Sequence, residues 1–187
     1  MADLWFIRHF RTPWNTEGRL QGRRDIALDD PLCSGDQAAL ANNLSALEET
    51  DFAEVWTSPL QRARQTAALH GYPAAVSLDA LLELDFGPWE GRTWHDLHTA
   101  HPDRWKASPD QLSLGEAFLT FEGRVAATLR NVWERSGPPV LAFGHGAWAN
   151  CAKAVAAGAD PSRMNEWKTA NGALVLLRPV EIGKAPK

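Results

Sequence analysis

The chain has 187 residues, 44% hydrophobic and 22% charged, with nine tryptophans and a formal net charge of −4. That size and composition suit one soluble globular domain with a good core, and the negative balance, with a pI of 5.8, argues against bulk binding to nucleic acid or a membrane surface. Two cysteines, Cys33 and Cys151, allow at most one disulfide and form no CxxC pair; with neither a signal peptide nor an apolar span in view, a reducing, cytoplasmic setting is expected.

In chain order, residues 4–8 read as a continuous buried strand ending at Arg8-His9. Residues 10–33 show no clean period and hold Pro13, Gly18, Gly22 and Pro31, which predicts a long functional loop. A helix over 36–49 is expected after a Ser34 cap, with Leu40, Leu44 and Leu47 on one face. Val55-Trp56 sits in a second strand. Ser58-Pro59 reads as an N-cap with proline at the first helical position, opening a helix to His70 that Gly71 stops. A third strand spans 74–78, an acidic loop 79–92, and short helical pieces 93–107, broken by Pro102. A long amphipathic helix covers 116–135, a strand 139–143, a helix 147–157 and a last strand 173–178; the tail after Pro179 is expected to fray.

Strands alternating with helices imply an α/β three-layer sandwich with a mostly parallel central sheet. Residues 1–187 read as a single domain, with 79–120 as a candidate lid. The first strand-like run ends at Arg8-His9 and a second, Val140–Phe143, is followed by Gly144-His145-Gly146. Open α/β sheets bind ligands at the carboxyl ends of their strands, so neighbouring strands would bring both imidazoles to one crevice. A histidine pair beside an arginine suits phosphate chemistry: one imidazole attacks phosphorus while cations hold the oxygens. Residues 1–30 carry five arginines against five acids; solvated ion pairing is the expectation for Arg23 and Arg24, and a phosphate role for Arg8. His95, His98 and His101 invite a zinc reading, but on a helix 95 and 101 diverge by about 120°, so no metal is expected there.

Several segments then line up: Arg8-His9, Thr12, Trp14-Asn15, Gly18-Arg19 and Gln21-Gly22; Ser58-Pro59-Leu60, Arg62-Ala63 and Gln65-Thr66-Ala67; Leu82-Glu83, Gly87 and Trp89-Glu90-Gly91; Gly115-Glu116; and Gly144-His145-Gly146. In this order they resemble the histidine phosphatase superfamily, with its phosphoglycerate mutase-like fold, over nearly the whole chain, and the small phosphatase branch in particular. The resemblance implies that His9 is the nucleophile and becomes a phosphohistidine. It implies that Arg8 and Arg62 clamp the phosphoryl oxygens, where guanidinium forks match phosphate and stay charged, and that Asn15 adds a hydrogen bond. His145 would donate to the phosphoryl group as an imidazolium. Glu83 would protonate the leaving oxygen and then activate water. Asp79, Asp85 and Glu90 are local rivals, Asp85 the second choice, and Glu116 matches a Gly-Glu-Ser segment in which Ala117 here replaces the serine.

The clearest departure is Phe10, where the family pattern reads Arg-His-Gly. It would narrow the pocket, pack into the core behind the strand, or be strained if φ there were positive. The expectation is a metal-independent phosphomonoesterase, a histidine acid phosphatase-type phosphoric monoester hydrolase, without cofactor and acting on a small phosphorylated metabolite. No nucleic acid or membrane partner is expected, and the oligomeric state is left open. The rivals are a phosphoglycerate mutase, for which the chain looks short; a phosphate-binding regulatory module with weak catalysis; and a protein phosphohistidine phosphatase.

Overall fold

The apolar runs at residues 4–8 and 140–144 alternate between two cores. A computed structural model describes residues 1–179 of the chain. Strand β1 (Leu4–Arg8) is followed by the short helix α1 (Pro13–Thr16), α2 (Ser34–Leu47), β2 (Glu54–Thr57), α3 (Gln61–Leu69) and β3 (Val76–Ser77). Helices α4 (Trp94–Ala100), α5 (Arg104–Ala107) and α6 (Phe118–Trp133) come next, then β4 (Val140–Gly144), α7 (Gly146–Ala156) and β5 (Leu174–Leu177). Leu4 and Phe6 of β1 and Val140 and Ala142 of β4 enter the core shared with α6 and α7. Ile7, Leu141 and Phe143 face the smaller core containing Leu47 of α2 and Ala67 of α3. Side chains alternate across a strand, so these two sets lie on opposite faces, and the expected three layers follow.

The sheet order is β3-β2-β4-β1-β5. β1 pairs parallel with β4, β2 with β4 and with β3, and only β5 runs antiparallel, against β1. The register sets Arg8 opposite Gly144, and the His9 amide donates to the Gly144 carbonyl at 2.9 Å. The next residue on each strand is therefore a histidine at the same height. The Ser58 amide, just past β2, donates to Phe143 O at 2.9 Å and joins the row.

Element boundaries moved by a few residues, and some differences bear on the site. The loop after β1 holds α1, begun by a capping box in which Thr12 and Asn15 bond each other's backbone. The Ser34 cap is not found: Cys33 occupies that position without a side-chain bond. Leu44 of α2 is 43% exposed; the helix turns Asp36, Asn43 and Leu47 inward instead, because Asp36 accepts the Arg11 amide and Asn43 donates to Gly172 O. Helix α3 starts at Gln61, with Leu60 as its cap. Residues 161–166 form a 3-10 helix that the sequence reading left unassigned. Both cysteines are free. The expected fraying after Pro179 lies outside the described residues.

Candidate active site

His9 follows β1 and is 3% exposed. Its Nδ1 lies 2.5 Å from the Phe10 carbonyl. A carbonyl only accepts, so Nδ1 carries the proton and Nε2 keeps its lone pair. Burial, then the nearby Arg62 and Arg8 guanidiniums, push the His9 pKa well below the usual histidine value. The ring is neutral at physiological pH, as a nitrogen nucleophile requires.

His145 caps α7, is fully buried, and its ring centroid lies 5.3 Å from that of His9. Its Nδ1 accepts from Arg62 Nε at 3.2 Å, so the hydrogen sits on Nε2, 2.7 Å from Ser58 Oγ. Burial first, then Arg62, His9 and Arg8, hold its pKa well below the usual value. The sequence reading expected an imidazolium here. Burial and the Arg62, Arg8 and Arg124 guanidiniums disfavour a further charge and favour a neutral ring instead.

Arg62 reaches Arg24 O at 2.6 Å and Gly22 O at 2.7 Å as well as His145. Burial lowers its pKa to about 10, opposed mainly by Glu83, so it stays cationic at neutral pH. Three of its five N–H donors are spent, and two remain for a ligand. Arg8 donates from Nη1 to Thr169 O at 2.5 Å, while its buried Nε has no partner among the described residues. A buried donor without an acceptor costs free energy unless something binds it. Gly146 makes room for this guanidinium: a Cβ there would lie 2.9 Å from the Arg8 Cζ.

Arg8, His9, Asn15, Arg62 and Glu83 line one cavity of about 490 Å³. Asn15 Oδ1 accepts the Thr12 amide at 3.2 Å, which leaves the Nδ2 donor for a ligand. Of the four acids in loop 79–92, only Glu83 lines the cavity. Its Oε2 accepts the Ala147 amide at 3.0 Å, and its Oε1 accepts the Trp148 and Leu84 amides, each at 3.1 Å. The carboxylate is thus seated on the first turn of α7, where free amides and the helix dipole favour an anion. Asp85, the second choice, caps the Gly87 amide at 2.7 Å. Glu90 accepts the Arg23 amide and pairs with Arg24 at 3.3 Å.

Two groups to which the sequence reading gave no site role support Glu83. Arg124 of α6 donates to Leu82 O at 2.5 Å and Glu83 O at 3.0 Å, and pairs with both oxygens of Glu116. Arg23, expected to be solvated, reaches Glu116 at 3.2 Å and ties the loop after β1 to the same cluster. A charged residue on the face of α6 that buries Phe121, Val125 and Thr128 is a signal that would have found Arg124. Ser58, read as a helix cap, is instead the hydroxyl partner of His145.

Phe10 is fully buried and points away from the cavity. Its ring stacks on His70 at 5.4 Å and packs against Gly172. It is not among the positive-φ residues, so of the three expectations only core packing holds. His95 and His98 are exposed, and no group of three or more His, Cys, Asp or Glu able to hold a metal occurs among the described residues.

A family model, the histidine phosphatase superfamily (branch 1), matches residues 4–185. The chain belongs to that superfamily. A Mycobacterium tuberculosis acid phosphatase is 31% identical over 144 residues, covering 76% of this chain and 70% of its own. Among solved structures, the Entamoeba histolytica phosphoserine phosphatase in complex with 3-phosphoglyceric acid superimposes with a TM-score of 0.79 at 25% identity, covering 94% and 90%. The Shigella flexneri α-ribazole phosphatase gives 0.75 at 26%, covering 94% and 89%. This superfamily unites phosphatases and mutases, which places the chain among enzymes of phosphoric monoesters. No helix among the described residues is long and apolar enough to cross a membrane.

Proposed function

We propose that this histidine phosphatase hydrolyses a small phosphorylated metabolite in the cytoplasm, without metal or cofactor, through a phosphohistidine at His9. One observation carries the reading: a neutral imidazole with its Nδ1 proton committed to Phe10 O lines a cavity beside two buried guanidiniums. A monoanionic ester brings a proton, which the Glu83 carboxylate takes up on binding. His9 Nε2 attacks phosphorus, the bond from phosphorus to the leaving alcohol oxygen breaks, and Glu83 passes its proton to that oxygen. The Glu83 carboxylate then takes a proton from water, whose oxygen attacks phosphorus. The N–P bond breaks, phosphate leaves carrying that proton, and His9 and Glu83 are restored. Arg8, Arg62 and Asn15 hold the phosphoryl oxygens throughout, stabilising charge where a metal ion otherwise would. His145 exchanges Ser58 Oγ for a phosphoryl oxygen as its Nε2–H acceptor, and residues 79–120 act as the lid over the cavity.

Rapid mixing with substrate in excess chelator, followed by a base quench, should trap an acid-labile phosphoenzyme in the wild type and none in His9→Ala. A phosphoenzyme of undiminished yield in His9→Ala overturns the assignment. A mutase would instead form 2-phosphoglycerate from 3-phosphoglycerate, stimulated by the 2,3-bisphosphate.

A further inference from the structure

The cavity extends beyond the phosphate cradle, and its outer part has a different chemistry. Phe86, Trp94 and Trp105 line it and pack on one another, with ring centroids 5.7 Å apart for Phe86–Trp94 and 5.2 Å apart for the other two pairs. Phe86 belongs to the core, but Trp94 remains 39% exposed. Packing alone does not account for a large aromatic left open to water at a cavity.

Trp94 is also held in place. Its amide donates to Gly18 O at 2.9 Å. The preceding Thr93 bridges to Arg19 and caps α4 in a capping box with Asp96. The backbone that carries the ring is therefore fixed relative to the loop that carries Asn15.

Two asparagines that line the same cavity offer free acceptors. Asn150 Oδ1 is buried and has no partner among the described residues. Asn165 spends its Nδ2 on Trp105 O at 2.5 Å, which leaves its Oδ1. The two further cations at the cavity are poorly suited to a second anion. Arg19 is committed to Glu17 and to Gly91 O at 2.8 Å, and Lys168 is exposed at the rim.

Resting on the phosphomonoesterase reading above, we infer that the alcohol portion of the substrate carries a planar aromatic or heteroaromatic ring with N–H or O–H donors and no second anionic group. The ring stacks on Trp94 and Trp105, and its donors meet Asn150 and Asn165. A nucleoside monophosphate has this chemistry; a phosphorylated small carboxylate does not. A volume of about 490 Å³ lies within the range of roughly 300–1,000 Å³ that encloses ligands of such size.

The test compares kcat/KM for adenosine 5′-monophosphate and ribose 5-phosphate, which share the phosphate-bearing sugar and differ by the ring, with phosphoserine and 3-phosphoglycerate alongside. Base–aromatic stacking favours the ring-bearing ester by roughly 5- to 150-fold. Trp94→Ala should collapse that ratio, and Trp94→Phe, which keeps a ring, should retain most of it. Equal or better turnover of the ring-free esters overturns the inference, as does a ratio unchanged in Trp94→Ala or lost as fully in Trp94→Phe. In those cases phosphohistidine still forms, and the phosphatase reading stands. Failure to turn over any ester, with no phosphoenzyme trapped, sinks both.

Discussion

Replacing Glu83 by glutamine should have two separable effects. Glu83 Oε2 accepts the Ala147 amide, and Oε1 accepts the Trp148 and Leu84 amides. A glutamine keeps one oxygen, which can serve the Trp148–Leu84 pair, and turns an NH2 group toward Ala147 N–H. A buried amide left without an acceptor costs about 1–3 kcal/mol, and loss of the negative charge at the first turn of α7 adds about 0.3–1 kcal/mol. The combined loss of roughly 1–4 kcal/mol lowers the melting temperature by roughly 3–15 °C for a chain of this size. Separately, losing a general acid costs about 10²–10⁴ in rate. That loss falls on alkyl phosphates, whose leaving oxygen needs a proton, and much less on activated aryl phosphates. Thermal melts of wild type and Glu83→Gln, with kcat/KM for one alkyl and one aryl ester well below the lower midpoint, read the two effects apart. Equal slowing of both esters refutes the proton-donor role. An unchanged melting temperature refutes the anchoring of the carboxylate on α7.

Three further outcomes follow from buried side chains. His9, His145 and His70 all have lowered pKa values, in each case chiefly through burial; the unfolded chain takes up protons near pH 6.5 while the folded one does not, so stability should fall as pH drops below that value, by up to about 4 kcal/mol between pH 7.5 and 5.5, and a denaturant midpoint insensitive to pH over this range contradicts the neutral rings. Arg124→Ala frees the Leu82 and Glu83 carbonyls and leaves buried Glu116 with only Arg23; a loss of about 3–5 kcal/mol is expected, with alkyl ester turnover falling more than aryl, and uniform slowing would deny Arg124 a part in placing Glu83. Phe10→Gly should destabilise the fold by about 3–5 kcal/mol through lost packing without changing the order of preference among esters, since the ring faces His70 and not the cavity; a broadened substrate range on a kinetic panel would show otherwise.

Much of the scaffold was legible because β1 and β4 bury both faces and so read as unbroken apolar runs. The polar groups of the site were legible because each stands in a motif: Arg8, His9, Arg62 and Glu83 line one cavity, and His145 packs against His9. Ser58 was misread because a serine before a proline satisfies the local rules for a helix start, whereas a tertiary partner, His145, holds its hydroxyl. The face of α2 was misread for a related reason, since Asp36 and Asn43 are drawn inward by backbone groups of distant loops. The protonation of His145 depends on three cations that only the fold assembles. The aromatic wall comes from Phe86 in a loop and from the short helices α4 and α5, and the Thr169 carbonyl that holds Arg8 lies in a loop; segments this short leave little periodic trace in sequence.

The pairing of β1 with β4 also dictates when this protein can first become active. Arg8 and His9 are made well before their neighbours across the pair, Gly144 and His145. Bringing the two strands together closes a loop of roughly 135 residues, an entropic cost met only when the central sheet assembles as a whole. A nascent chain that stops before β4 carries His9, the proposed nucleophile, without its cradle, since the amides of α7 that seat Glu83 are also missing. On the proposed mechanism, formation of the phosphoenzyme thus requires the completed sheet, and a partly synthesised chain holds His9 without the groups that would bind a phosphoryl oxygen.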